Sequence, residues 1–266
     1  MRRLSITEIH EIILGIAKEF DKVCTNNDIP YFMLGGTMLG AIRHKGFIPW
    51  DDDMDFGVPA EKYESLLKAL KDELPQKYGV CTFKTHEGCG TAYAKIEDRR
   101  TLVNDPRMWR VPNDKQIGLN IDIFPLSICD KNSPKLAKIL SIKKRYARIY
   151  TGNANRVRWK NTLKSLLQAL DIHNREWYLS ILYELATTSE NRSSGKSFRG
   201  NLLGRWGERE IVPELWYGMN VRYEFEDTRF CGIEKYDDYL HSLYGDYMKL
   251  PPVDERTVHV ENAYIK

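Results

Sequence analysis

A chain of 266 residues with 42% hydrophobic content can bury one large core or two small ones, which excludes a disordered chain. The formal net charge of +3 implies no partner by itself, but residues 131–164 hold seven Lys (131, 135, 138, 143, 144, 160, 164) and four Arg (145, 148, 156, 158) with no acid, leaving the remainder at −8. Five cysteines (24, 81, 89, 129, 231), odd in number and irregularly spaced, fit a reducing compartment, so cytoplasm is expected. No run approaches the about 20 apolar residues of a membrane span. Glu8 and Glu11 interrupt the start before a signal-peptide core develops, so a soluble chain, or one attached at a membrane surface, is expected.

Ser5-Ile-Thr-Glu8 has capping-box spacing, and Ile9, Ile12, Ile13, Ile16, Phe20 and Val23 recur at helical intervals, which predicts an amphipathic helix over 6–26. Residues 31–34 read as a short strand closed by Gly35-Gly36, after which Thr37 caps a short helix ending at Gly46. Pro49-Trp50 forces an extended approach to Asp51, Asp52, Asp53 and Asp55, and residues 53–58 alternate polar with apolar as a half-buried strand does. Pro59 opens a helix through Leu74, residues 80–85 and 91–98 read as an antiparallel pair, and 117–126 as a buried strand broken by Pro125. Residues 1–126 are thus expected to form a mixed α/β unit. From 133 onward the pattern is helical, over 134–150, 158–170 and 175–187, followed by a polar loop at 191–200, a strand at 221–226 and a helix at 235–245.

On a strand, Asp53 and Asp55 share one face while Met54 and Phe56 point into the core. Two carboxylates so close are stable as a charged pair only with a cation between them, and hard oxygen ligands select Mg²⁺ or Mn²⁺. Asp122, a lone carboxylate in an apolar strand, completes a three-carboxylate cage if the two strands are neighbours. Gly35-Gly36-Thr37 adds backbone N–H groups and a helix N-terminus, which suit a phosphate. Metal and phosphate cradle together point to phosphoryl chemistry. The plainer readings are a solvated acidic loop or a calcium ligand set, and an ordinary glycine turn; the order of the features on the predicted elements favours chemistry.

Arg43, His44 and Lys45 either hold phosphate or counter the carboxylates. Lys95 is a candidate phosphate ligand, or else an exposed edge lysine. Cys81-x₄-His86-x₂-Cys89 offers three zinc ligands without an evident fourth, so structural zinc is not expected. The basic stretch is either a solvated helical face or a site for anionic lipid head groups. Nucleic acid is not expected, because the charge excess is local and no binding module is recognisable.

The stretch from Leu34-Gly-Gly-Thr-Met-Leu-Gly to Trp50-Asp-Asp-Asp-Met-Asp-Phe56 closely resembles the LicD family of phosphocholine transferases, relatives of the fukutin-type transferases in the nucleotidyltransferase-fold superfamily. Leu34-Gly35-Gly36, Asp53-Met54-Asp55 and Ile121-Asp122-Ile123 match that superfamily's turn, Asp-x-Asp strand and later carboxylate in order, and 243–252 is similar to the family's ending. The resemblance implies an α/β (α+β) mixed sheet flanked by helices, with a catalytic core over 1–130 and a mainly helical, basic region over 131–266 that completes the site. It implies transfer of phosphocholine from CDP-choline to a sugar hydroxyl of a bacterial cell-surface glycan precursor, teichoic acid or lipopolysaccharide, releasing CMP. Asp53, Asp55 and Asp122 are then the catalytic residues and metal ligands with Asp51 as an outer ligand, and Gly35, Gly36, Thr37, Arg43, Lys95 and Trp50 contact the donor. Trp50, Trp109, Tyr244 and Tyr247 are the nearest aromatic faces for a choline cage, and each also fits a core position. A lipid-linked acceptor would place residues 131–164 at the inner face of the cell membrane. Other readings stay open: nucleotidyl transfer to a small molecule, transfer of another phospho-alcohol from a CDP donor, or, in a different class, a non-catalytic Ca²⁺-binding protein.

Overall fold

The computed structural model describes residues 1–103, 116–150, 170–171, 173–190, 197–219, 221–252, 256 and 263–266. β1 (Arg2–Arg3) precedes α1 (Ile6–Asn26), which carries the predicted capping box: Ser5 Oγ accepts from the Glu8 N–H, and the Glu8 carboxylate accepts from the Ser5 N–H at 2.9 Å. Its stripe of Ile9, Ile13, Ile16, Ala17, Phe20 and Val23 is buried. β2 (Phe32–Met33) runs straight into α2 (Gly35–Arg43), two residues earlier than Thr37 predicts. Gly35 makes the turn possible, with φ of +47°. Thr37 lies inside the helix, and its hydroxyl accepts from the Asp55 N–H at 2.8 Å instead of capping.

The elements that follow are β3 (Asp55–Pro59), α3 (Ala60–Glu73), β4 (Tyr78–Cys81), β5 (Ala94–Asp98), β6 (Thr101–Val103), β7 (Asn120–Ile128) and α4 (Pro134–Ile149). Beyond them come α5 (Arg175–Thr187), β8 (Phe198–Asn201), β9 (Ile211–Pro213), β10 (Arg222–Phe225), β11 (Thr228–Cys231), α6 (Tyr236–Tyr244) and β12 (Ala263–Ile265). The predicted helix over 158–170 lies outside the described residues except for Leu170. Among the described residues no helix is long and apolar enough to cross a membrane.

Seven strands form one mixed sheet in the order β2-β3-β7-β5-β4, with β8 on β7 and β9 on β8; β3 and β7 run parallel and the other pairs antiparallel. The α/β class is as expected. Pro125 does not break β7. The strand pairs with β5 through residue 123 and with β8 from residue 126, and the Asp122 N–H points to Met54 O on the β3 side. By alternation, position 125 turns its missing N–H toward the gap between β5 and β8, where no acceptor needs it. β8 replaces the last part of the predicted loop at 191–200, because its partners β7 and β9 supply a ladder that no local pattern announces. β4 ends at Cys81, earlier than predicted, where the Thr82 N–H turns to Thr85 Oγ1. β1, β12 and β6 form a separate three-stranded sheet, and β10 with β11 a hairpin. A continuous buried cluster runs from Leu4 to Ala263, with Ile121, Ile123 and Leu126 of β7 at its centre.

Candidate active site

The register builds the site. Asp55 faces Asp122 across the parallel β3–β7 pair, Asp122 faces Lys95 across β7–β5, and Lys95 faces Cys81 across β5–β4, so these four side chains form one row on one face of the sheet. Met54 and Phe56, on the opposite face, are fully buried as predicted. Lys95 is ion-paired with Asp122 and donates to Asn120 Oδ1 at 3.1 Å, with its Nζ 5.4 Å from the centre of the Tyr93 ring. Burial disfavours the Lys95 cation, but Asp122 outweighs that and holds its pKa above the ordinary lysine value, so it stays charged. Burial first, then the Asp53, Asp122 and Asp51 charges, push the Asp55 carboxyl well above its ordinary range, and Lys95 offsets only part of this.

A surplus of hard carboxylate oxygens around one lysine fits a hard divalent cation such as Mg²⁺ or Mn²⁺. β3 and β7 are neighbours, the condition under which Asp122 joins Asp55. β3 begins at Asp55, and Asp53 lies exposed just ahead of it, its charge the first of those that act on Asp55. Among the described residues, no three of the aspartates converge within 4.8 Å.

The N-terminus of α2 lies beside these acids, a Gly35 Cβ being 3.8 Å from Asp55 Oδ2. A Cβ on Gly36 would lie 2.8 Å from Asp51 Oδ2, so the absent side chain admits a carboxylate where the helix dipole favours negative charge. The Gly35 N–H donates to the Tyr239 hydroxyl at 3.1 Å. Arg43 is engaged away from the acids: its Nη1 donates to Tyr247 O at 2.6 Å and its Nε to His44 Nε2 at 2.9 Å, tying the end of α2 to the segment after α6. Trp50 is half-buried, and the Arg256 guanidinium lies 4.5 Å from its ring centre. Tyr244 borders the row, its hydroxyl 3.5 Å from where a Gly35 Cβ would be; burial, Asp55 and Asp51 raise its pKa. Tyr247 is buried with its hydroxyl on Asp237, and Trp109 lies outside the described residues.

Three neighbours of the row escaped the sequence reading. Asn120 stands two residues before Asp122 and therefore on its face, a signal that strand alternation does offer. Tyr93 precedes β5, and Tyr239 reaches Gly35 from 204 positions away, with no local signal at all.

The comparisons with known proteins match the same region. A family model described as LicD/FKTN/FKRP, nucleotidyltransferase domain, matches residues 28–150. The chain is 30% identical, over 277 aligned positions spanning the whole of both chains, to the lipopolysaccharide cholinephosphotransferase LicD of Haemophilus influenzae. It is also 40% identical over 91 residues to an uncharacterized protein of Rickettsia typhi, covering 34% of this chain and 29% of that one, and 46% identical over 74 residues to an uncharacterized protein of Rickettsia prowazekii, covering 28% of each. The acidic row, the glycine turn ahead of it and a likeness that runs from end to end place the chain in the LicD family.

Proposed function

We propose that the chain transfers phosphocholine from CDP-choline to a sugar hydroxyl of a cell-surface glycan precursor of the lipopolysaccharide type, releasing CMP and requiring Mg²⁺ or Mn²⁺. The row Asp55, Asp122 and Lys95 beside the N-terminus of α2 carries this reading, and the full-length likeness to a lipopolysaccharide cholinephosphotransferase supports it. Asp55, with Asp51 and Asp53, would hold the metal, which when bound offsets the charge of the diphosphate and of the departing CMP. An ammonium has three donors; Asp122 and Asn120 take two from Lys95, and the third serves a phosphate oxygen. The sugar oxygen bonds to phosphorus as the bond to CMP breaks, and Asp122 accepts the hydroxyl proton. Trp50 and Tyr244 offer ring faces to the trimethylammonium group, and the Arg256 cation already on Trp50 supports that use. A cytoplasmic protein working on a lipid-linked acceptor would meet the inner membrane face through the exposed Lys138, Lys144, Arg145 and Arg148 of α4.

Incubation with CDP-choline, Mg²⁺ and an acceptor glycan should release CMP. Asp55→Asn and Asp122→Asn should each lower that release by at least about 100-fold with an unchanged circular dichroism spectrum. Full CMP release by either variant would remove these carboxylates from the reaction, and pyrophosphate release from a nucleoside triphosphate without CMP would mean nucleotidyl transfer instead.

A further inference from the structure

A second cluster lies on the same sheet face, one strand beyond Lys95. Cys81 ends β4 opposite Lys95, and Glu97 lies two residues along β5, so Cys81 and Glu97 share that face. The connection between the two strands folds back to bring His86 to them: one ligand atom each from Cys81, His86 and Glu97 lie within 4.8 Å of one another. The sequence spacing alone offers no further ligand beyond the two cysteines and the histidine. The strand register supplies Glu97, while Cys89 stays outside the set with its Sγ on Cys81 O and Tyr93 O.

The surroundings suit a resident ion. Cys81 and Glu97 are 2% and 7% exposed, and Glu97 Oε2 is oriented by the Gly118 N–H at 2.7 Å. His86 is half-buried at the outer side, which leaves a solvent route to the cluster. Its Nδ1 accepts from the Gly88 N–H at 3.1 Å, so the ring is held within the loop by a contact that a metal can replace. Ligand atoms around tetrahedral zinc lie roughly 3.5 Å apart, so an inward movement of about 1 Å closes the set. A thiolate, an imidazole and a carboxylate form a mixed donor set that favours Zn²⁺ over Mg²⁺ or Ca²⁺.

We propose that Cys81, His86 and Glu97 bind one Zn²⁺, with water in the fourth position. The Cys81 thiol gives up its proton to solvent on binding. The ion would fasten the loop between β4 and β5 onto β5, which carries Lys95, and does not depend on the transfer reaction.

The test is metal content after dialysis of the intact protein against Zn²⁺ and then against metal-free buffer. About one zinc per chain is expected, with at least a tenfold loss of affinity in Cys81→Ser and His86→Ala and none in Asp55→Asn. Cobalt provides a readout that does not need a folded variant: Co²⁺ should give a thiolate-to-metal charge-transfer absorption in the wild-type protein, displaced by Zn²⁺. Zinc content near zero, an absent cobalt band, or equal zinc in wild type and folded Cys81→Ser would each overturn the site.

Discussion

Glu210 shows how one buried acid can set the pH response of the fold. It is 5% exposed, accepts from the Trp206 N–H at 2.8 Å, and fills space left by Gly204, where a Cβ would meet Oε1 at 2.0 Å. Burial pushes its pKa up to about 7, against the opposing pull of the Trp206 N–H and the Lys143 charge. An unfolded glutamate has an ordinary value of 4.5, so the contribution of Glu210 to stability is complete below that pH and is lost as the pH rises to about 7. Gln at this position cannot ionise. The stability of Glu210→Gln relative to wild type should therefore rise between pH 4.5 and 7, by on the order of 1–3 kcal/mol in urea unfolding. A difference that stays constant across that range would mean another group titrates. The acids of the row are a different case, since any bound cation would change their titration.

At the scale of elements, β5 and β7 are joined through a side chain as well as a ladder. The buried Tyr63 hydroxyl on α3 donates to Ile123 O at 2.6 Å and accepts from the Ala94 N–H at 2.8 Å, linking the helix to both strands one residue from the Lys95 and Asp122 pair. Tyr63→Phe leaves both backbone groups unpaired and should destabilise the fold by about 1–3 kcal/mol in urea unfolding. A smaller loss would mean that the strands close into a direct bond. Such links also mark what the sequence could and could not convey. α1, α3 and the order turn, acids, later strand were legible because each has a local signal: a capping box, a 3.6-residue stripe, a glycine pair and an isolated carboxylate. β8 and β12 are only four and three residues long and exist through partners far along the chain, so no periodicity betrays them. Pro125 misled because the cost of proline in a strand depends on which neighbour its N–H would face, a property of register rather than composition.

For the whole molecule, the question is which way α4 turns its apolar side. Leu136, Ile139, Tyr146 and Ile149 are buried, and Leu140, Ile142 and Tyr150 pack partly buried against the same cluster. The apolar stripe of the helix belongs to the core and leaves no hydrophobic anchor for a bilayer. Lys135 and Lys143 also turn inward, Lys143 donating to Leu203 O at 2.9 Å and to Gly204 O at 2.6 Å. Any docking through α4 is then electrostatic, with each exposed basic residue contributing about 1 kcal/mol near an anionic surface. Co-sedimentation with anionic vesicles should be complete at low salt and vanish at high salt and in the Lys138→Glu, Lys144→Glu, Arg145→Glu, Arg148→Glu variant. Binding that survives high salt would require an apolar contact elsewhere.

The small sheet of β1, β12 and β6 has a consequence for the order in which the fold is completed. β12 lies between the other two, pairing Arg2 with Ile265 on one side and Thr101 with the same Ile265 on the other, so β1 and β6 share no bond of their own. Ribosomal synthesis delivers residues 263–265 long after both partners have emerged. Until then neither β1 nor β6 has the strand that pairs it in this sheet, so both segments stay open to intermolecular pairing until β12 joins them.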